Sequence, residues 1–407
     1  MIRNVIRRLP VVVLAASLLG CSSSTAEFEA MPELRRVEVA CMQVEGLPAF
    51  TQATCKDLAD RVRQSINEFH NLTGGVVKPP RQVRHRLLAN TVEIDDAREI
   101  RCINYTGAKR REKDRLKSMV SVVTDTAIEQ VNIDPRHTAL VVAVNASASL
   151  CRKERPPDFT ERCPDVEGRR AVLGGQALHD VTGKPVIFIF ASPDEPTRDR
   201  SLARHEWGHL GIATEQLGHD IALCNRNGDK LPARIDDSTD FGTNIRSREA
   251  SIMGYSHLPR IKFVAPPHLA QFGLIEKDRI LTPKESGIVI LGDIPQTGPV
   301  APGEQPTVAA LQFELANSAI KKAITSEVAK TKLSVDDYVL FVGTVGAEVA
   351  VYATPTPEQL RKSDENTTIF LIKRLSTGEQ LDIANGPLIR VLSSHEGVAK
   401  IALQLPH

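Results

Sequence analysis

Residues 194–211, DEPTRDRSLARHEWGHLG, constrain the fold more than any other stretch, because they read as a helix with two histidines on one face. Acidic residues open the segment and suit the positive end of a helix, and Gly211 offers the left-handed stop that ends one. A helix turns about 100° per residue, so His205 and His209, four apart, project side by side. Two neutral imidazoles so placed suit a borderline-soft cation such as Zn2+. Glu206 stands next to the first of them. From there it can take a proton from a water that the cation has acidified, then hand it to a leaving amine. Such a site needs a third protein ligand beside its water. The downstream candidates are Glu215, His219 and Asp220. His219 is the expected ligand, completing a three-histidine set, with Glu215 as the carboxylate alternative.

The chain's two ends differ from this centre. Arg3, Arg7 and Arg8 precede the apolar run LPVVVLAASLLG, which is too short to span a bilayer as a stable helix. The run closes on Leu18-Leu19-Gly20-Cys21 and resembles the lipobox of bacterial lipoproteins. That resemblance implies cleavage before Cys21, acylation of Cys21, and a lipid anchor in the outer membrane or at the cell surface. Residues 21–35 then serve as anchor and tether. Cys21 apart, six cysteines remain, an even number that fits disulfides in an exported protein. The local pairings Cys41–Cys55 and Cys151–Cys163 would leave Cys102–Cys224. A net charge of +1 and an aromatic fraction of 4% argue against a nucleic-acid partner, which would call for a basic excess and stacking platforms.

Apolar spacing predicts further elements. RVEVACMQVEG, 36–46, alternates as a strand. Residues 55–72 carry Leu58, Val62, Ile66 and Phe69 at helical spacing, and glycines follow. A second helix is expected at about 109–131, with Leu116, Met119, Val122, Val123 and Ile128 on one face. TALVVAVNA, AVLGGQALHD and KPVIFIFAS are strand candidates. Residues 213–250 look polar and irregular, and ASIMGYSH reads as a compact turn. A Pro/Gly-rich connection at 293–306 precedes short β-like runs.

HEWGH together with Ser251-Ile252-Met253-Gly254-Tyr255 resembles the zinc motif and methionine turn of the metzincin peptidases, the gametolysin-like ones in particular. Gly211 lies one position earlier than the family's glycine, and Glu215 stands where its third histidine would be. The resemblance implies that Met253 packs beneath the imidazoles without ligating the metal, and that the Tyr255 hydroxyl approaches the metal or an oxyanion. It also implies an α/β (α+β) catalytic domain, with a mixed twisted sheet and an active-site helix, over 36–285. A small all-β, sandwich-like domain would follow at 286–407, with residues 1–20 as the lipoprotein signal peptide.

Substrate would lie extended along an edge strand near Gly174–Leu178. The expected activity is zinc-dependent endopeptidase cleavage of protein or peptide substrates. A zinc-containing adhesion or substrate-binding lipoprotein without catalysis is the alternative, although Glu206 would be idle in it. Hydrolysis of a non-peptide amide would use the same chemistry.

Overall fold

Strand β1 (Arg36–Val44) alternates so that both of its faces are buried. Val37, Val39 and Cys41 enter one apolar core, while Ala40, Met42 and Val44 enter another. A strand covered on both faces belongs inside a layered α/β arrangement. The computed structural model describes residues 34–75, 77–95, 97, 110–132, 137–147, 175–179, 185–210, 217–225, 231–244, 251–254, 263–292, 308–361, 367–395 and 397–406.

In chain order, β1 is followed by α1 (Gln52–Leu72), β2 (Gln82–Val92), α2 (Arg110–Val131), β3 (Thr138–Asn145), β4 (Gly175–His179), β5 (Pro185–Ala191) and α3 (Pro196–His209). The first sheet runs β2-β1-β3-β5-β4. β1 is parallel to β2 and β3, β3 is parallel to β5, and β4 closes the edge antiparallel to β5. Helix α1 buries the expected Leu58, Val62, Ile66 and Phe69. Helix α2 covers the opposite face with Leu116, Met119, Val120, Val123, Ala127 and Val131, with Ile128 packed against them. Val122, expected on that face, points to solvent at 43% exposure, because the buried stripe runs through Val120 and Val123.

The next elements are β6 (Asp220–Asn225), β7 (Arg234–Ile235), β8 (Phe241–Asn244), α4 (Pro266–Gln271), β9 (Ile280–Leu281), β10 (Gly287–Leu291) and β11 (Ala310–Glu314). The chain ends with α5 (Ser318–Val328), β12 (Tyr338–Val345), β13 (Glu348–Pro355), α6 (Pro357–Arg361), β14 (Ile369–Leu375), β15 (Gln380–Ile383), β16 (Leu388–His395) and β17 (Val398–Gln404). They form a seven-stranded sheet, β8-β6-β14-β13-β12-β11-β9, and a five-stranded sheet, β10-β17-β16-β15-β7. Apolar side chains of both sheets share one core, as in a sandwich, with Leu340 and Val351 from one and Ile389 and Ile401 from the other.

Two expectations need correction. The C-terminal portion is not all-β. Helix α5 packs Ile320, Ile324 and Val328 into that core, and Asn317 caps it by accepting from the Ile320 amide at 3.0 Å. The stretch 213–250 is not wholly irregular either, since β6, β7 and β8 lie in it. Moreover β6 pairs in parallel with β14, and β7 with β15. The sheets therefore do not part at residue 285. Over the described residues the fold is mixed α/β, α+β, with three sheets and few helices. No helix among the described residues is long and apolar enough to cross a membrane.

Candidate metal centre

Helix α3 is fixed against α1 before it presents any chemistry. Asp199, fully buried in its first turn, accepts from the Ser192 amide at 2.8 Å and from Arg61 Nη1 at 3.0 Å. Burial pushes this carboxyl up to about 7, against the pull of Arg198 and Arg61. Ser65 Oγ donates to the Arg200 carbonyl at 2.7 Å, and Arg204 Nη1 to Glu68 at 3.0 Å.

At the far end of α3, His205 and His209 are both buried. His205 Nδ1 donates to the Ile252 carbonyl at 3.0 Å, and His209 Nδ1 to the Leu217 carbonyl at 2.6 Å. A carbonyl can only accept, so each Nδ1 carries the proton and each Nε2 is left as a bare lone pair. The two Nε2 atoms face each other at 3.0 Å. Neither can donate to the other. About 3.3 Å separates two imidazole nitrogens around a tetrahedral zinc, and metal-bound histidines commonly donate their other N–H to a carbonyl.

His219 completes the group. Its ring centroid lies 4.4 Å from that of His209 and 5.7 Å from that of His205. One ring nitrogen from each of the three histidines falls within 4.8 Å of the others, a spacing that can hold a metal ion. Burial pushes His205 down to about 4 and holds His209 well below its usual range. Burial of its ring, with smaller contributions from His205, His268 and Lys330, pushes His219 down to about 3. All three are neutral at neutral pH, the state in which imidazole ligates.

The segment 217–220 is held at each of its four residues, which keeps His219 in place. Leu217 donates to the Gly208 carbonyl at 3.1 Å and accepts from His209, so it is fastened to α3 twice. Gly218 lies against the Thr367 carbonyl, with no room for a Cβ. The His219 carbonyl accepts from the Ile369 amide at 2.9 Å, which begins the β6–β14 ladder. Asp220 donates its amide to the Met253 carbonyl at 3.1 Å, and its carboxylate accepts from the Ser251 amide at 2.6 Å. Burial raises that carboxyl to about 6. Asp220, the other acid weighed as a ligand, is thus engaged by the 251–254 turn. This bracing of His219 from β14 lies far off in sequence, and sequence reasoning missed it. Gly218, next to the candidate ligand, was the available signal.

Residues 251–254 form the expected turn, with the Gly254 amide donating to the Ser251 carbonyl at 2.9 Å. Met253 is fully buried, and a Cβ placed on Gly208 would overlap its sulfur and lie 3.3 Å from Phe69. The methionine therefore packs under α3 between the two histidine positions. Met253→Leu, close in volume, is expected to cost less than about 1.5 kcal/mol in a denaturant melt and to leave bound metal unchanged. Loss of metal would show that the sulfur does more than pack.

Glu206 is buried on α3 beside His205. Glu215, Tyr255 and Cys21 lie outside the described residues, as do Cys102, Cys151 and Cys163. Cys41–Cys55 is formed, joining β1 to α1, and Cys224 is also disulfide-bonded.

The fold and the three histidines define a mixed α/β protein with a site able to hold a metal ion. No family model and no curated protein matches the chain. Among solved structures it is similar to wild-type OgpA from Akkermansia muciniphila, at 11% identity and a TM-score of 0.29, over 96% of this chain and 97% of that one. A TM-score of that size carries no conclusion about chemistry.

Proposed function

We propose that the chain is a zinc-dependent endopeptidase of metzincin type, exported as a lipoprotein anchored through Cys21. The observation that carries this reading is the pair of bare Nε2 atoms facing each other at 3.0 Å, with His219 closing the set. Two lone pairs that close repel unless a cation lies between them. Three neutral nitrogen donors suit Zn2+ better than a hard cation such as Mg2+ or Ca2+.

His205, His209 and His219 would hold the ion. When bound, it acidifies a water and polarises the scissile carbonyl. Glu206, next to His205, takes the water's proton and delivers it to the leaving amine. Met253 and the Asp220–Ser251 contact keep the imidazoles from shifting. Substrate lies extended along β4, the edge strand of the first sheet, pairing main chain to main chain. The Cys41–Cys55 disulfide supports an oxidising, extracytoplasmic compartment.

Metal content tests the reading most directly. The full chain should carry one zinc, lost in His219→Ala and kept in Glu215→Ala. Loss in Glu215→Ala alone would reassign the third ligand to the carboxylate. A parent protein that takes up no zinc after controlled loading would end the hydrolase reading.

A further inference from the structure

A cavity of about 280 Å3 opens where the strands of the first sheet begin, and Arg35, Arg36, Glu38 and Arg86 line it. Arg36 stands between Gln82 of β2 and Thr138 of β3 in the parallel register. Along β1 side chains alternate, so Arg36 and Glu38 share a face with Ala40 and Met42, which pack against α2. The cavity is therefore on the α2 side of the sheet, and the end of that helix, at Val131 and Asn132, forms one wall.

The backbone beneath these cations is fixed. The Arg35 and Arg36 amides both donate to the His137 carbonyl, at 2.9 and 3.0 Å, and the Gln82 amide donates to the Arg35 carbonyl at 3.2 Å. Arg86 Nε lies 3.5 Å from the carboxylate of Glu38, a buried residue. The guanidiniums of Arg35 and Arg36 make no hydrogen bond or ion pair among the described residues. Against three guanidinium charges stand one carboxylate and the C-terminal end of α2, worth about half a negative charge. The balance is positive, on a concave wall that concentrates the field. Like charges gathered there are relieved by an anion.

We propose that this cavity is a binding site for a phosphate ester, held by Arg35 and Arg36 with Arg86 beside them. The oxygens of a phosphate accept from several N–H donors at once, and guanidinium forks match them in pairs. A carboxylate would occupy one of the free arginines and leave the other idle. The space approaches that of small-molecule sites, roughly 300 Å3 and upward, so there is room for the phosphate together with its substituent. Arg35 and Arg36 also stand at the root of the tether that the lipoprotein reading runs from Cys21. A phospholipid headgroup is thus one source of the ester, and a soluble phosphate ester is the other. The site depends neither on the metal nor on the hydrolytic reading.

The test is calorimetry on the full chain in a neutral detergent, titrated with glycerol 3-phosphate. The parent should bind it at one site, more weakly as sodium chloride is raised. Arg35→Gln and Arg36→Gln, both at exposed positions, should each weaken binding about tenfold. Lys322→Gln removes a cation on α5, outside the cavity, and should leave it unchanged. No binding by the parent, or parental affinity in both arginine variants, would overturn the site. Repeating the titration in micelles doped with phosphatidylglycerol assigns the source. Binding abolished by the doped lipid marks a headgroup site, and binding retained marks a site for a soluble ester. Zinc content, read in the same samples, should match the parent in every variant, so failure of this site and failure of the metal centre are told apart.

Discussion

Replacing Gly218 with alanine is expected to strip the metal from the centre while leaving most secondary structure in place. The new methyl group would overlap the Thr367 carbonyl oxygen, so one of the two backbones has to move. Thr367 and Thr368 are buried, and the Thr368 carbonyl accepts from the Tyr338 hydroxyl at 2.9 Å, so that side resists. The strain passes instead to Leu217 and His219, whose contacts aim two of the three imidazoles. Overpacking of this kind costs about 1–3 kcal/mol. Relieving a 1.3 Å approach to a backbone oxygen displaces the 217–219 backbone by far more than a few tenths of an ångström, and a ligand aimed by that backbone loses its position. Metal analysis beside a thermal melt should show occupancy down at least tenfold with only a modest fall in Tm. Full occupancy at parental affinity would mean that the 217–220 segment does not set the third ligand.

The second large effect is expected at Glu206. Glu206→Gln keeps the size of the side chain and removes its ability to take a proton. Hydrolysis of a peptide substrate should fall by about 100- to 10,000-fold, with KM little changed and one zinc retained. Measured turnover near the parental rate, with zinc present, would remove Glu206 from the role of base. Retained binding of an uncut protein substrate by the parent itself would favour the adhesion alternative, in which the same metal holds a partner without cleaving it.

Some of this centre could be read directly from residues. His205 and His209 share a face because four residues nearly complete a helical turn, and that relation depends on nothing outside α3. Met253 beneath the helix was also legible, through its resemblance to a known turn. His219 was a choice among three neighbours, and geometry brings it to the others. What holds its segment in place is the β6–β14 pairing, Asp220 with Ile369 and Ala222 with Leu371, across 149 residues of chain, and no local pattern encodes such a contact.

The same physics explains the misplaced boundary. Proline and glycine at 293–306 mark a break in local structure, but parallel pairing is decided by non-local register, so β6 and β7 joined sheets that seemed to begin later. Helix α5 was missed among β-like runs, although Ile320, Ile324 and Val328 recur at helical spacing and Asn317 caps the first turn. In α1 the cap is Thr51 with Thr54 answering it, a box closed by a threonine where glutamate or glutamine is the usual signal.

The parallel pairing of β6 with β14 has a consequence for timing. A chain that emerges from its N-terminus can assemble β1 to β5 and lay α3 across them early, with His205 and His209 already side by side. The segment bearing His219 finds its neighbouring strand only when residues 367–371 follow. A chain that ends before residue 367 lacks the strand that braces the His219 segment.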